Sequence, residues 1–104
     1  MKIGLIFGGK SFEHDISIIS AMQVLNAIDK SKYEVIPLYL NKSGDLLYGD
    51  RYRDINTFKK VIIPKKGEYA NLIRFNNKCY LSSVFKKFKK WLKLDLILPI
   101  VHGK

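Results

Sequence analysis

A chain of 104 residues is one domain's worth of sequence, and its 47% apolar content supplies a core and excludes a disordered chain. The single cysteine, Cys79, excludes an intramolecular disulfide and fits a reducing compartment. A net charge of +10 raises nucleic acid and anionic membranes as partners, but a solvated lysine-rich surface gives the same number, so the placement of the lysines decides.

The N-terminus does not read as a secretory signal, because the apolar run after Lys2 is broken by Gly8, Gly9 and Lys10. No stretch approaches the roughly 18 apolar residues of a membrane span. The expected location is the cytoplasm. Lys2 to Phe7 predicts a buried, parallel strand. Gly8 to Ser11 is the turn after it, with Ser11 placed to cap a helix and Glu13 and Asp15 in the first turn. Ile18, Ala21, Met22, Leu25 and Ile28 then recur at helical spacing. A second strand follows in "KYEVIPLYLN", closed by the turn "KSGD". Strand, glycine turn, helix and strand in this order make a βαβ unit.

The middle is less patterned. "DLLYG" reads as a short strand, "RYRDINTFKK" as a loop or poor helix, and "VIIP" as a strand-like run. "LIRFNNKCYLSS" predicts a hairpin turning at Asn76-Asn77. "SVFKKFKKWLK" places Val84, Phe85, Phe88, Trp91 and Leu92 on one helical face, with lysines opposite. "LDLILPIVHG" is the last apolar strand, ending at His102-Gly103. The whole predicts a three-layer, Rossmann-like α/β domain with a mainly parallel sheet, occupying residues 1–104.

Gly4 to Ser11, "GLIFGGKS", spells the phosphate loop G-x-x-x-x-G-K-S. That loop works by wrapping phosphates in backbone N–H groups, so its four central positions must lie beyond the strand. Here three of them, Leu5, Ile6 and Phe7, are large and apolar, and burying each is worth roughly 1.5–3 kcal/mol. The strand is the stronger reading. The glycine pair then turns the chain at the strand's C-terminal end, the edge where open α/β sheets bind ligands. If the last strand runs parallel to the first, Glu13 and His102 converge on one crevice.

These residues resemble a known family. "GGKSFEHDISIISA", Gly8 to Ala21, and "LPIVHG", Leu98 to Gly103, look like the N-terminal domain of the D-alanine–D-alanine ligases. The resemblance implies ATP-dependent joining of two D-alanines through an acyl phosphate, for peptidoglycan synthesis. It assigns ATP and Mg2+ to central and C-terminal ATP-grasp domains that have no counterpart in this chain. The chain alone is therefore expected to be inactive and to hold no metal or cofactor. It implies that Glu13 engages the ammonium of the first D-alanine and takes part in catalysis. His102 and Gly103 line the same substrate, while Gly8, Gly9 and Ser11 shape the loop. Its implied partners are D-alanine, the remaining ligase domains and a second copy in a homodimer, with neither nucleic acid nor membrane.

By residue type alone, Glu13 is also a helix-start carboxylate and His102 a strand-end histidine. His14 reads as a surface residue, Lys10 as a solvated loop lysine and Cys79 as a small packing residue or a half-exposed hairpin position. Three alternatives stay open. One is a ligase taking D-lactate or D-serine as second substrate, and another is a free-standing α/β binding module. The third is a basic surface binder, in which "KKFKKWLK" meets nucleic acid or an acidic membrane.

Overall fold

The computed structural model describes residues 1–10, 13–85 and 91–100. Ser11, His102, Gly103 and the lysine-rich Lys86–Lys90 lie outside the described residues. Strand β1 (Lys2–Gly8) leads through the glycine turn to helix α1 (His14–Ala27) and strand β2 (Glu34–Leu40). A short β3 (Leu46–Tyr48) follows, then 3₁₀ turns at Asp50–Arg53, Ile55–Lys59 and Lys66–Glu68. Strands β4 (Ala70–Phe75), β5 (Lys78–Ser83), β6 (Leu92–Leu94) and β7 (Leu96–Ile100) complete the order.

The central sheet runs β3-β2-β1-β7. β1 pairs in parallel with β2, Ile3 opposite Val35 and Phe7 opposite Tyr39, and in parallel with β7, Ile3 opposite Leu96 and Phe7 opposite Ile100. Only β3 is antiparallel to its neighbour. β1 is buried on both faces, which is why it is a continuous apolar run and not an alternating one. Its odd-numbered residues Ile3, Leu5 and Phe7 pack under Ile18, Ala21, Met22 and Leu25 of α1. Leu5 and Phe7 are fully buried, and a Cβ on Gly4 would stand 3.0 Å from the Leu94 side chain. The first glycine of the apparent phosphate loop is thus a mid-strand packing position, as the burial argument requires.

The opposite face of the sheet is covered by a second, antiparallel sheet ordered β4-β5-β6. Ala70, Leu81 and Leu94 meet Ile36 and Leu38 there. This corrects the sequence reading, which covers the sheet with an aromatic helix running from Ser83 to Lys93. Where the segment is described, Leu92–Leu94 is strand, and Val84, Phe85 and Trp91 are exposed. Leu92 and Leu94 alternate onto the inner face, with Leu92 paired to the buried Leu81, so a period of two wins over the helical spacing. The last apolar segment is likewise split at Asp95, whose N–H donates to the Lys2 carbonyl (2.8 Å) and whose carboxylate accepts from the Lys2 N–H (2.7 Å). "VIIP" forms no strand: Val61 and Ile63 are exposed and have no ladder partner. The hairpin turn at Asn76-Asn77 is as expected, both residues taking positive φ (52° and 61°).

Candidate functional site

Gly8 and Gly9 both adopt positive φ, 96° and 95°, and swing the chain from the end of β1 toward α1. Gly9 is tied down by its N–H, which donates to the Leu40 carbonyl at the end of β2 (2.7 Å). Glu13 stands at the cap position of α1, exposed, its carbonyl accepting from the Ser17 N–H (2.8 Å). The helix therefore begins at the edge of the sheet where β1 ends, and its N-terminal partial positive charge faces that edge.

β7 ends at the same edge, because its parallel register sets Ile100 beside Phe7. The chain leaves β1 toward β2 on one side and returns through β7 on the other. The crevice between the ends of β1 and β7 is thus a topological switch point, the position where open α/β sheets bind ligands. The structure brings together Gly8, Gly9, Glu13 and the end of the strand that leads to His102. The placement of Ser11, His102 and Gly103 lies outside the described residues.

Two buried residues to which the sequence reading gives no part in the site stand beneath this edge. Ser17, fully buried, accepts the Gly8 N–H on Oγ (2.9 Å) and donates to the Ile100 carbonyl, so one hydroxyl links the ends of β1 and β7. His14, read from the sequence as a surface residue, is only 5% exposed. Its Nδ1 lies 2.5 Å from the Gly9 carbonyl and its Nε2 lies 2.8 Å from the Tyr39 hydroxyl. The correction has a sequence signal: His14, Ile18, Ala21 and Leu25 follow the i, i+4, i+7, i+11 stripe of the buried face. Burial raises the Tyr39 phenol above its usual value, and the nearby Asp15 charge adds to this, so Tyr39 stays protonated. On the β2 side of α1, a cleft of about 350 Å³ is walled by His14, Asp15, Tyr39, Lys42, Phe58 and Lys60. Among the described residues, no three His, Cys, Asp or Glu side chains gather to hold a metal ion, and no helix is long and apolar enough to cross a membrane.

Strand order, the glycine turn and the start of α1 at the same edge define an α/β domain with a crevice at the ends of its parallel strands. The sequence profile described as D-ala D-ala ligase N-terminus matches residues 2–104, and the chain belongs to the D-alanine–D-alanine ligase family as its N-terminal domain. It is 41% identical to the D-alanine–D-alanine ligase of Thermosipho melanesiensis over 99% of this chain and 28% of that protein. It is 36% identical to that of Chloroherpeton thalassium over 98% of this chain and 29% of that protein. The chain thus spans little more than a quarter of the length of these relatives. The fold matches the D-alanine–D-alanine ligase from Coxiella burnetii with a TM-score of 0.72 at 24% identity, over all of this chain and 29% of that one. It matches the VanG D-Ala:D-Ser ligase from Enterococcus faecalis with a TM-score of 0.69 at 24% identity, over 99% of this chain and 29% of that one.

Proposed function

We propose that this chain is the substrate-side domain of a cytoplasmic, homodimeric ligase that joins two D-alanines at the expense of ATP for peptidoglycan synthesis. The observation that carries the reading is the sequence likeness to D-alanine–D-alanine ligases over almost the whole chain, with Glu13 at the switch-point edge. Glu13 is an exposed carboxylate at the start of α1. It holds the ammonium of the first D-alanine and orients or accepts a proton there. His102 and Gly103, two and three residues past Ile100, complete the wall of that subsite, and Gly8, Gly9 and Ser11 shape the loop. The family likeness supports assigning Mg2+ and ATP to ATP-grasp domains of the full ligase outside the matched region.

In the full-length ligase, Glu13→Gln is expected to lower kcat/KM for the first D-alanine by roughly ten- to a hundredfold, the loss of one charge-assisted contact. The KM for ATP should change little. An unchanged kcat/KM for D-alanine counts against the assignment. The purified 104-residue chain is expected to release no ADP from ATP, with or without D-alanine. Competition between D-alanine, D-serine and D-lactate as second substrate settles the variant of the reaction, and D-alanine is the expected winner.

A further inference from the structure

We infer that His14 is a positioning residue for the first-substrate subsite, acting as its Nδ1–H tautomer through the Gly9 carbonyl. The inference rests on the ligase reading above for its kinetic consequence, and on geometry alone for its structural content. A carbonyl oxygen only accepts, so the 2.5 Å contact requires a proton on Nδ1. Nε2 of the neutral ring is then an acceptor, and the Tyr39 hydroxyl, 2.8 Å away and kept protonated by burial, is the donor. Both ring nitrogens are used and the tautomer is fixed by its partners.

The consequence lies in what Gly9 controls. Its N–H is held by the Leu40 carbonyl and its carbonyl by His14, so the two peptide planes that meet at the Gly9 Cα, where β1 turns toward α1, are each pinned. His14 directly follows Glu13, and its ring is packed edge-on against Tyr39 (centroids 5.5 Å apart). Anchoring the ring therefore anchors the backbone that carries the Glu13 carboxylate. Ser17 does the same on the other flank, through Gly8 and Ile100. Small displacements of a positioning carboxylate cost rate, because the bound ammonium must meet a fixed geometry.

Two measurements test this. The first is the long-range 1H–15N spectrum of the chain labelled with 15N-histidine, which has only two histidines to resolve, His14 and His102. His14 is expected as the Nδ1–H tautomer with an unprotonated Nε2, and a predominant Nε2–H tautomer overturns the inference. The second is a pair of variants of the full-length ligase. An asparagine amide reaches the Nδ1 position and a glutamine amide the Nε2 position. His14→Asn is therefore expected to keep kcat/KM for the first D-alanine within about threefold of the wild type. His14→Gln should lose roughly ten- to a hundredfold, the range set by leaving a buried acceptor unpaired. The KM for ATP should hold in both. Equal activity of the Gln variant and the wild type, or equal loss in both variants at matched melting temperature, overturns the positioning role. Should either variant fail to fold, the wild-type tautomer decides. Absence of D-alanine ligation by the wild-type ligase is a different result: it removes the functional reading and leaves the tautomer intact.

Discussion

Gly8 stands with φ at +96°, and a Cβ added there would lie 2.4 Å from the Leu40 carbonyl oxygen and 2.9 Å from the Tyr39 ring. The first contact is with backbone, which cannot step aside without breaking the β1–β2 pairing. Gly8→Ala is therefore expected to cost at least about 2 kcal/mol in urea unfolding, from the strained φ and the clash together. A loss below about 0.5 kcal/mol would show that the turn relaxes. Glu68 offers a second residue-scale case. It accepts from Arg51 Nε and Nη2 (both 2.7 Å), the Tyr52 hydroxyl (2.9 Å) and the Lys65 N–H (3.0 Å), fastening the 3₁₀ segment over the fully buried Tyr52. Burial alone would raise the Glu68 carboxyl, but the Arg51, Lys65 and Tyr52 hydrogen bonds and the Arg51 charge outweigh it and hold it below the ordinary value of 4.5. A depressed carboxyl stabilises the fold above its unfolded-state value, and that stability is lost as pH falls from about 4.5 through the folded value. Glu68→Gln should cost about 1–3 kcal/mol at neutral pH and flatten this acid limb of the stability–pH curve. An unchanged acid limb would assign it to other carboxylates. The sequence shows the turn at Gly8 but not its contact with Leu40, and it shows nothing of the role of Glu68. Gly8 shows only as half of a glycine pair, and the Glu68 cluster joins residues 17 apart through a loop with no periodicity.

The elements fall into two groups by how far their pattern is local. β1, the turn, α1 and β2 were readable because each carries its own period and its own punctuation, and the hairpin because Asn76-Asn77 tolerates the left-handed region a two-residue turn demands. Asn77→Gly is therefore expected to raise the melting temperature slightly, and Asn77→Val to cost about 1–2 kcal/mol. Equal melting temperatures for both variants would mean that the hairpin end is frayed. The misread elements depend on distant partners. "VIIP" has strand composition but no strand beside it, and exposed apolar residues alone do not make a ladder. Trp91 and Leu92 fit a helical stripe equally well on paper. The buried Leu81, which pairs with Leu92, decides for the strand. His14 was missed for a related reason: its charged neighbours Glu13 and Asp15 hide its place on the buried stripe of α1.

At the scale of the whole molecule, the parallel sheet and the shared edge where β1 and β7 end follow from the βαβ reading, as does the covering of both faces. What covers the second face did not, because a helix and a hairpin sheet bury apolar residues equally well and only the pairing tells them apart. The candidate site was legible in its outline, Gly8, Gly9 and Glu13. Its buried support, His14 and Ser17, joins residues 5 to 83 positions apart in sequence and is visible only in three dimensions.

The register of β1 against β7 has a consequence in time. The N-terminal strand is an interior strand, and its second neighbour is Leu96–Ile100. The Lys2–Asp95 contact alone closes 93 residues of chain. The unit β1–α1–β2 can assemble as soon as it has been synthesised, but one edge of β1 stays bare until almost the whole domain has emerged. Such long-range closure favours refolding in milliseconds to seconds over microseconds. During that interval the nascent domain presents an unpaired apolar strand to its surroundings. Conservative truncations in β7, such as Ile97→Val, which trims a side chain packed against the Ile36 and Leu38 cluster, should then accelerate unfolding while leaving the refolding rate nearly unchanged in stopped-flow measurements. The ligand crevice, which needs the end of β7 beside the glycine turn, is by the same token the last part of the domain to exist.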